Sequence, residues 1–206
     1  MSTREQILDA AWKLFGERGF EDVSVRDVTN AAGVNLASVS YHFGSKTGLI
    51  QEVVKKTLNP ANQHRLELLD KFAKEYGGID KIPIRSIVDA FVRPVSFPEE
   101  HGSNQDIVAR LAARYLIERD YNVPNPVIML FGEVFKKFVV AMKYQLPNLS
   151  EDVILNRFLF CTGSTLHYHS FSGLASKIAG HNVVPEPEER YQQLLDFCVH
   201  GFGGGQ

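Results

Sequence analysis

The chain has 206 residues, 44% of them hydrophobic and 22% charged, which suits one or two globular domains with a sizeable core. A net charge of −2 excludes a protein that grips nucleic acid through bulk charge. No apolar run reaches the length of a membrane span and no signal-peptide pattern opens the chain, so a cytoplasmic location without a membrane partner is expected.

Ser2 and Glu5 form a capping-box pattern, and Ile7, Leu8, Ala11, Leu14 and Phe15 then recur at helical spacing. Gly19 stops this first helix. Ser24 and Asp27 repeat the capping pattern before a second, short helix that ends at Gly33, where a positive φ carries no side-chain clash. A third short helix follows. Asn35 can cap its first turn, and Val39 and Phe43, four apart, anchor one face inward. Leu36, Ala37, Ser38, Ser40, Tyr41 and His42 are left facing outward, a small, polar and aromatic row suited to a polar partner. Helix, glycine turn and second helix make a helix-turn-helix, whose second helix enters the DNA major groove.

From about residue 46 a fourth helix runs through Leu49, Ile50, Val53, Val54 and Leu58 toward Tyr76, with Pro60 expected to kink or break it near Asn59 and Gly77-Gly78 to end it. A fifth helix carries Ile84, Ile87, Val88, Phe91 and Val92 and is expected to end at Arg93-Pro94 and Phe97-Pro98. A sixth carries Ile107, Val108, Leu111, Tyr115 and Leu116. A strongly apolar seventh carries Ile128, Phe131, Val134, Phe135, Phe138, Val139 and Met142. The eighth, from about Glu151 to Ile178, is apolar on more than one side, which predicts two packing partners. Pro187 and Glu188 open a ninth, with a stripe of Tyr191, Leu194, Leu195, Cys198 and Phe202. No strand pattern or internal repeat stands out. The fold class is all-α with about nine helices: a three-helix helix-turn-helix domain at 1–48, then a helical domain at 49–206, with the fourth helix as the link.

The run from Ile7 to Leu49 resembles the DNA-binding domain of TetR (tetracycline-repressor-type) transcriptional regulators. The resemblance rests on Ile7-Leu8-Asp9-Ala10-Ala11, on Leu14-Phe15-Gly16-Glu17-Arg18-Gly19-Phe20, on Ser24-Val25-Arg26-Asp27-Val28, on Ala31-Ala32-Gly33-Val34 and on Tyr41-His42-Phe43-Gly44-Ser45-Lys46, in that order and spacing. Two positions depart from the pattern. Ser40 stands where an aromatic is common, and Gly48 replaces the usual carboxylate after Ser45, removing half of a capping box. The resemblance implies a homodimeric regulator, usually a repressor, bound to an inverted-repeat operator and released by a small effector. The stretch Val34-Asn35-Leu36-Ala37-Ser38-Val39 is most similar to a subgroup with fatty-acid-responsive members, which adds acyl compounds to the apolar effectors expected.

Asn35, Leu36, Ala37, Ser38, Tyr41 and His42 are therefore the expected DNA contacts, flanked by Ser24, Arg26, Lys46 and Thr47. Lys46 opens a helix, where cations are disfavoured, so phosphate contact explains it better than surface solvation. Leu36 can meet a thymine methyl. Residues 1–56 hold seven Lys/Arg and seven Asp/Glu, so phosphate attraction is local: from Val34 to Lys56 three lysines face one glutamate.

The expected effector pocket lies between the fifth, sixth, seventh and eighth helices. Phe91, Leu111, Tyr115, Phe131 and Phe135 are candidate lining, with Phe138, Met142, Phe158 and Phe171, because ligand cavities are mostly apolar. Arg110 and Arg114 suit a carboxylate or phosphate head group equally well as ordinary surface positions. The expected dimer face joins the eighth helix (Leu159, Gly163, Leu166, Ser170 and Gly173) to the ninth (Tyr191, Leu194, Leu195 and Cys198), as a four-helix interface under two-fold symmetry. His167 and His169, two apart on a helix, point to nearly opposite faces and do not share a metal. Cys161 and Cys198, the only cysteines, form no framework and read as buried thiols. No catalytic set, metal site or cofactor is expected. An α-helical enzyme acting on lipid-like molecules, or a DNA-binding regulator without an effector, are the alternatives.

Overall fold

The computed structural model describes residues 1–101 and 125–203. Among them are eight α-helices and no strand: α1 (Thr3–Arg18), α2 (Val25–Ala32), α3 (Ala37–Phe43), α4 (Lys46–Tyr76), α5 (Ile84–Ser96), α6 (Asn125–Gln145), α7 (Glu151–Ala179) and α8 (Pro187–Gly201). Two 3-10 turns, Ile79–Lys81 and Pro98–His101, flank α5. The predicted sixth helix, with Arg110, Leu111, Arg114 and Tyr115, lies outside the described residues. The predicted seventh, eighth and ninth helices are α6, α7 and α8.

The chain forms two compact units, one containing Met1–Pro60 and the other Ala61–Gly102 and Phe131–Gln206. In the first, one face of each helix meets a common core: Ile7, Ala11 and Phe15 from α1, Val28 from α2, Val39 from α3, and Leu49 and Val53 from α4. Phe20 and Phe43 close it from the edge, Phe20 with its ring 5.4 Å from that of Phe15. The local signals act as the sequence predicts. Ser2 with Glu5 and Ser24 with Asp27 each form a complete capping box. Gly33 takes the left-handed conformation (φ 66°, ψ 34°) and turns the chain between α2 and α3. The indole N–H of Trp12 donates to the Thr57 hydroxyl at 3.0 Å, tying α1 to α4.

The second unit is built on a larger core. Phe91 of α5, Phe138 of α6, Phe158 of α7 and Phe202 after α8 are all fully buried, with Ile87, Met142, Ile154 and Leu195 around them. Burial of each such side chain favours folding by about 1.5–3 kcal/mol. Ser150 caps α7, and Gly180 ends it in the left-handed conformation. Pro187 occupies the first turn of α8, where its missing N–H has no helical partner to lose.

Both prolines expected to interrupt helices lie inside them instead. α4 runs unbroken from Lys46 to Tyr76 through Pro60, ending at the positive-φ glycines Gly77 and Gly78. α5 continues past Pro94 to Ser96, and Phe97 N–H closes its last turn on the Arg93 carbonyl at 2.9 Å. Each proline removes one helical hydrogen bond. Buried neighbours on both sides (Val54, Thr57 and Ala61; Val92 and Ser96) hold the helix nonetheless.

Candidate nucleic-acid interface

The recognition surface is assembled from short-range bonds. Asn35 Oδ1 accepts the Ala37 N–H at 2.9 Å, and the Ser38 N–H donates to the Asn35 carbonyl at 2.9 Å, so α3 begins on a capped first turn. Val39 is buried beneath it and Phe43 half-buried. This fixes the opposite row outward. Tyr41 is 85% exposed and Leu36 48%. Asn35, Ala37 and Ser40 are exposed, Ser38 and His42 half-buried. The His42 ring meets Tyr41 edge-on at 4.9 Å, which limits the rotamers Tyr41 can take.

The flanking positions also fall in this unit. Ser24 and Arg26 are exposed at the start of α2, and Thr47 is exposed at the start of α4. Lys46 is half-buried, and its ammonium donates to the Glu21 carbonyl at 3.3 Å. Its charge thus lies between the start of α4 and the loop before α2. Asp27 sits below the usual carboxylate range because the Ser24 hydroxyl and N–H both donate to it. The basic residues Arg4 and Lys56 are paired with Glu52 and Asp9. Arg4 also lies over the Phe43 ring at 5.2 Å. That contact joins α1 to the end of α3 across a separation no local pattern reveals.

In the second unit, Phe91, Phe135, Phe138 and Phe158 pack on one another, with centroid distances of 4.6–5.8 Å among them. Met142 is fully buried beside them and Phe131 half-buried at the edge, 6.3 Å from Phe135. These expected pocket residues are thus together, in mutual contact within the core. The side chains of Leu166, Ser170 and Phe171 lie outside the described set. Of the expected dimer residues, Leu159, Gly163 and Gly173 are exposed on α7. Tyr191, Leu194, Leu195 and Cys198 instead lie in the core of their own protomer. An apolar stripe specifies burial but not its partner, and here α5 and α7 are the partners. Large apolar side chains left exposed in this unit include Leu155, Leu159, Phe160 (70%), Leu174 and Ile178 on α7, Val140 and Tyr144 on α6, and Phe197 (67%) on α8.

A polar network missed by the sequence reading crosses this unit. The Tyr191 hydroxyl donates to Asp89, and Arg93 reaches Glu100 by two hydrogen bonds at 3.0 and 3.2 Å. Burial and the Asp89 charge push the Tyr191 phenol up beyond its ordinary value. Cys161 and Cys198 are buried free thiols, as expected. The hydrogen bond that the Cys161 thiol donates to Cys198, with burial, pushes the Cys161 thiol above its ordinary value. No group of three or more possible metal-ligating side chains occurs among the described residues, and no described helix is long and apolar enough to cross a membrane.

The glycine turn between α2 and α3 and the exposed row on α3 define a helix-turn-helix protein. Residues 7–53 match the family model described as bacterial regulatory proteins, tetR family, and residues 89–201 match the tetracyclin repressor-like C-terminal domain. The chain belongs to the TetR family of bacterial regulatory proteins. It is 39% identical over 56 residues to the probable HTH-type transcriptional regulator YttP of Bacillus subtilis, a match covering 27% of each chain. It is 26% identical over 117 residues to the HTH-type transcriptional repressor KstR2 of Mycobacterium tuberculosis, covering 55% of this chain and 54% of that one. The chain thus aligns with about a quarter to a half of the length of these curated relatives. In fold it is similar to the hemolysin II transcriptional regulator HlyIIR, with a TM-score of 0.59 at 22% identity over 95% of this chain and 96% of that one. It is also similar to NalD of Pseudomonas aeruginosa, with a TM-score of 0.62 at 20% identity over 97% and 96%.

Proposed function

We propose that the protein is a sequence-specific DNA-binding transcriptional regulator: a homodimeric repressor bound to an inverted-repeat operator and released by a small, largely apolar or acyl-type effector. The observation that carries this reading is the outward row on α3, fixed by buried Val39 beneath it. Leu36, Ala37 and Ser38 suit base edges, whereas Tyr41, His42, Lys46 and Thr47 suit phosphates. The KstR2 match, a protein named as a repressor, supports the sign of regulation. The curated relatives are named as transcriptional regulators, which favours this reading over an enzyme.

The dimer face consists of Leu155, Leu159, Phe160 and Gly163 of α7 with Phe197 of α8. A two-fold axis there would bring two recognition helices to successive major grooves, roughly 34–36 Å apart. An effector inserted among the α5–α7 aromatics would act through α4, which contributes Leu49 and Val53 to one core and Leu69 to the other. It can release DNA only by its differential affinity for two packings of the chain, and DNA must weaken its binding by the same factor.

The test is selection of binding sites from a random duplex pool at fixed salt. The expected product is an inverted repeat with half-sites about 10–10.5 base pairs apart, centre to centre. Enrichment of no sequence, or of single half-sites, sinks the proposal.

A further inference from the structure

α4 carries a charge where its periodicity calls for an apolar residue. Ala61, Arg65 and Leu69 follow one another at four-residue spacing on its buried face, and Arg65 is only 4% exposed. Its Nε–H donates to the Phe91 carbonyl at 2.7 Å and an Nη1–H donates to Asn62 Oδ1 at 2.9 Å. The guanidinium carbon lies 4.4 Å from the centre of the Phe91 ring. All of these partners are uncharged. Burial lowers the Arg65 pKa to about 10, so the group stays protonated at neutral pH.

Among the described residues no carboxylate pairs with it. Two acids of α5 and the turn after it are engaged elsewhere: Glu100 with Arg93, and Asp89 with Tyr191 and Arg93. Nη2 makes no hydrogen bond among the described residues. Asn62, also 4% exposed, gives its oxygen to Arg65, and its buried Nδ2 has no partner. Among the described residues, a full positive charge with only uncharged partners thus lies beside a buried amide donor that has no acceptor. Such a pair is costly to bury unless an anion completes it.

We propose that Arg65 and Asn62 are the recognition site for the carboxylate of an amphipathic small molecule whose apolar part packs against the aromatic cluster that begins at Phe91. The site deepens the effector reading above and rests on it. A carboxylate fits the donors: it is planar and singly charged, one oxygen accepting from Nη2 and the other from Asn62 Nδ2. A phosphate brings more charge and more oxygens than these two groups can satisfy. Phe91 joins the two halves of the site, its carbonyl and ring orienting Arg65 and its ring packing at a steep angle against Phe135 and Phe138.

The experiment adds octanoate, 4-phenylbutyrate, octanol, octyl phosphate or acetate to the full chain and reads thermal midpoint and calorimetric Kd. Octanoate or 4-phenylbutyrate should raise the midpoint; octanol, octyl phosphate and acetate should not. Arg65→Met should weaken carboxylate binding by about tenfold or more, the worth of a charge-assisted hydrogen bond. Asn62→Asp supplies a fixed counter-ion, so it should raise the midpoint of the ligand-free protein and abolish the carboxylate response. It serves as the deciding variant if Arg65→Met does not fold. A purely structural Arg65 gives no such loss of response. The proposal is overturned if neither carboxylate shifts the wild-type protein, if octanol or octyl phosphate matches them, or if Asn62→Asp responds like wild type. DNA takes no part in this readout, so failure to bind an operator would refute the regulator reading and leave this site standing.

Discussion

The carbonyl oxygen of Phe43 lies 2.1 Å from the position that a Cβ on Gly48 would take. The end of α3 and the first turn of α4 therefore approach each other through a glycine, while the Gly48 N–H caps onto Ser45 Oγ at 3.1 Å. Any side chain at 48 must push the recognition helix away from α4. Gly48→Ala should destabilise the protein by roughly 1–3 kcal/mol, the usual cost of overpacking. Urea denaturation checks this; a variant with an unchanged midpoint would show that the approach is loose.

Gly48 also shows what the sequence could and could not convey. In the sequence it reads as half of a capping box lost; in space it is the residue that lets two helices meet. The signals that were legible are local ones. The Ser2–Glu5 and Ser24–Asp27 boxes, the left-handed Gly33 and the outward row around Tyr41 depend on partners a few residues away. The illegible features depend on distant partners. The α8 stripe shows that Tyr191 and Cys198 are buried, but not that α5 and α7 of the same protomer bury them. Arg65 had a signal, its four-residue spacing between Ala61 and Leu69, yet an arginine there reads as solvated until Phe91 is seen against it. In the sequence Pro60 reads as a kink or break and Pro94 as a helix end, because packing that outweighs a lost hydrogen bond leaves no local trace.

The two capping boxes give an acid dependence. The Ser2 donors hold Glu5, and the Ser24 donors hold Asp27, below their ordinary carboxylate values. A carboxylate with a depressed folded pKa stabilises the fold fully above its unfolded pKa, about 4. That contribution fades as pH falls through the folded value. Thermal midpoints measured from pH 5 down to pH 2.5 should therefore fall less steeply for Ser24→Ala than for wild type, since the variant has already lost the Asp27 bonds. Parallel curves would mean that Asp27 titrates alike in both.

The α3 row divides by chemistry. Tyr41→Ala should weaken binding to every operator variant to a similar degree, because a phosphate contact carries little sequence information. Leu36→Gln and Ser38→Ala should instead change which base is preferred, by about 1–3 kcal/mol at the affected position. Binding titrations against a set of single-base operator variants separate the two. Uniform losses for all three mutants, or no loss for any, contradict the division.

The dimer face can be tested by introducing charge into it. α7 uses Ile154, Phe158 and Cys161 inside its own protomer and leaves Leu155, Leu159 and Phe160 exposed, while α8 leaves Phe197. Exposed apolar groups of this size on two helices are the material of a four-helix interface. A glutamate introduced at its centre must lose its water or separate the subunits, because no opposite charge is supplied. Leu159→Glu and Phe197→Glu should each move the protein from dimer to monomer at micromolar concentration, as seen by sedimentation. Folding of the protomer should persist, since neither side chain belongs to the internal core. Operator affinity should then fall steeply, because each monomer holds only one half-site. Cys198→Ser provides the contrast. It lies inside the protomer core, so it should lower the thermal midpoint and leave the dimer intact. If Leu159→Glu and Phe197→Glu both remain dimeric while Cys198→Ser dissociates, the interface uses the inner stripe of α8 and the face proposed here is wrong.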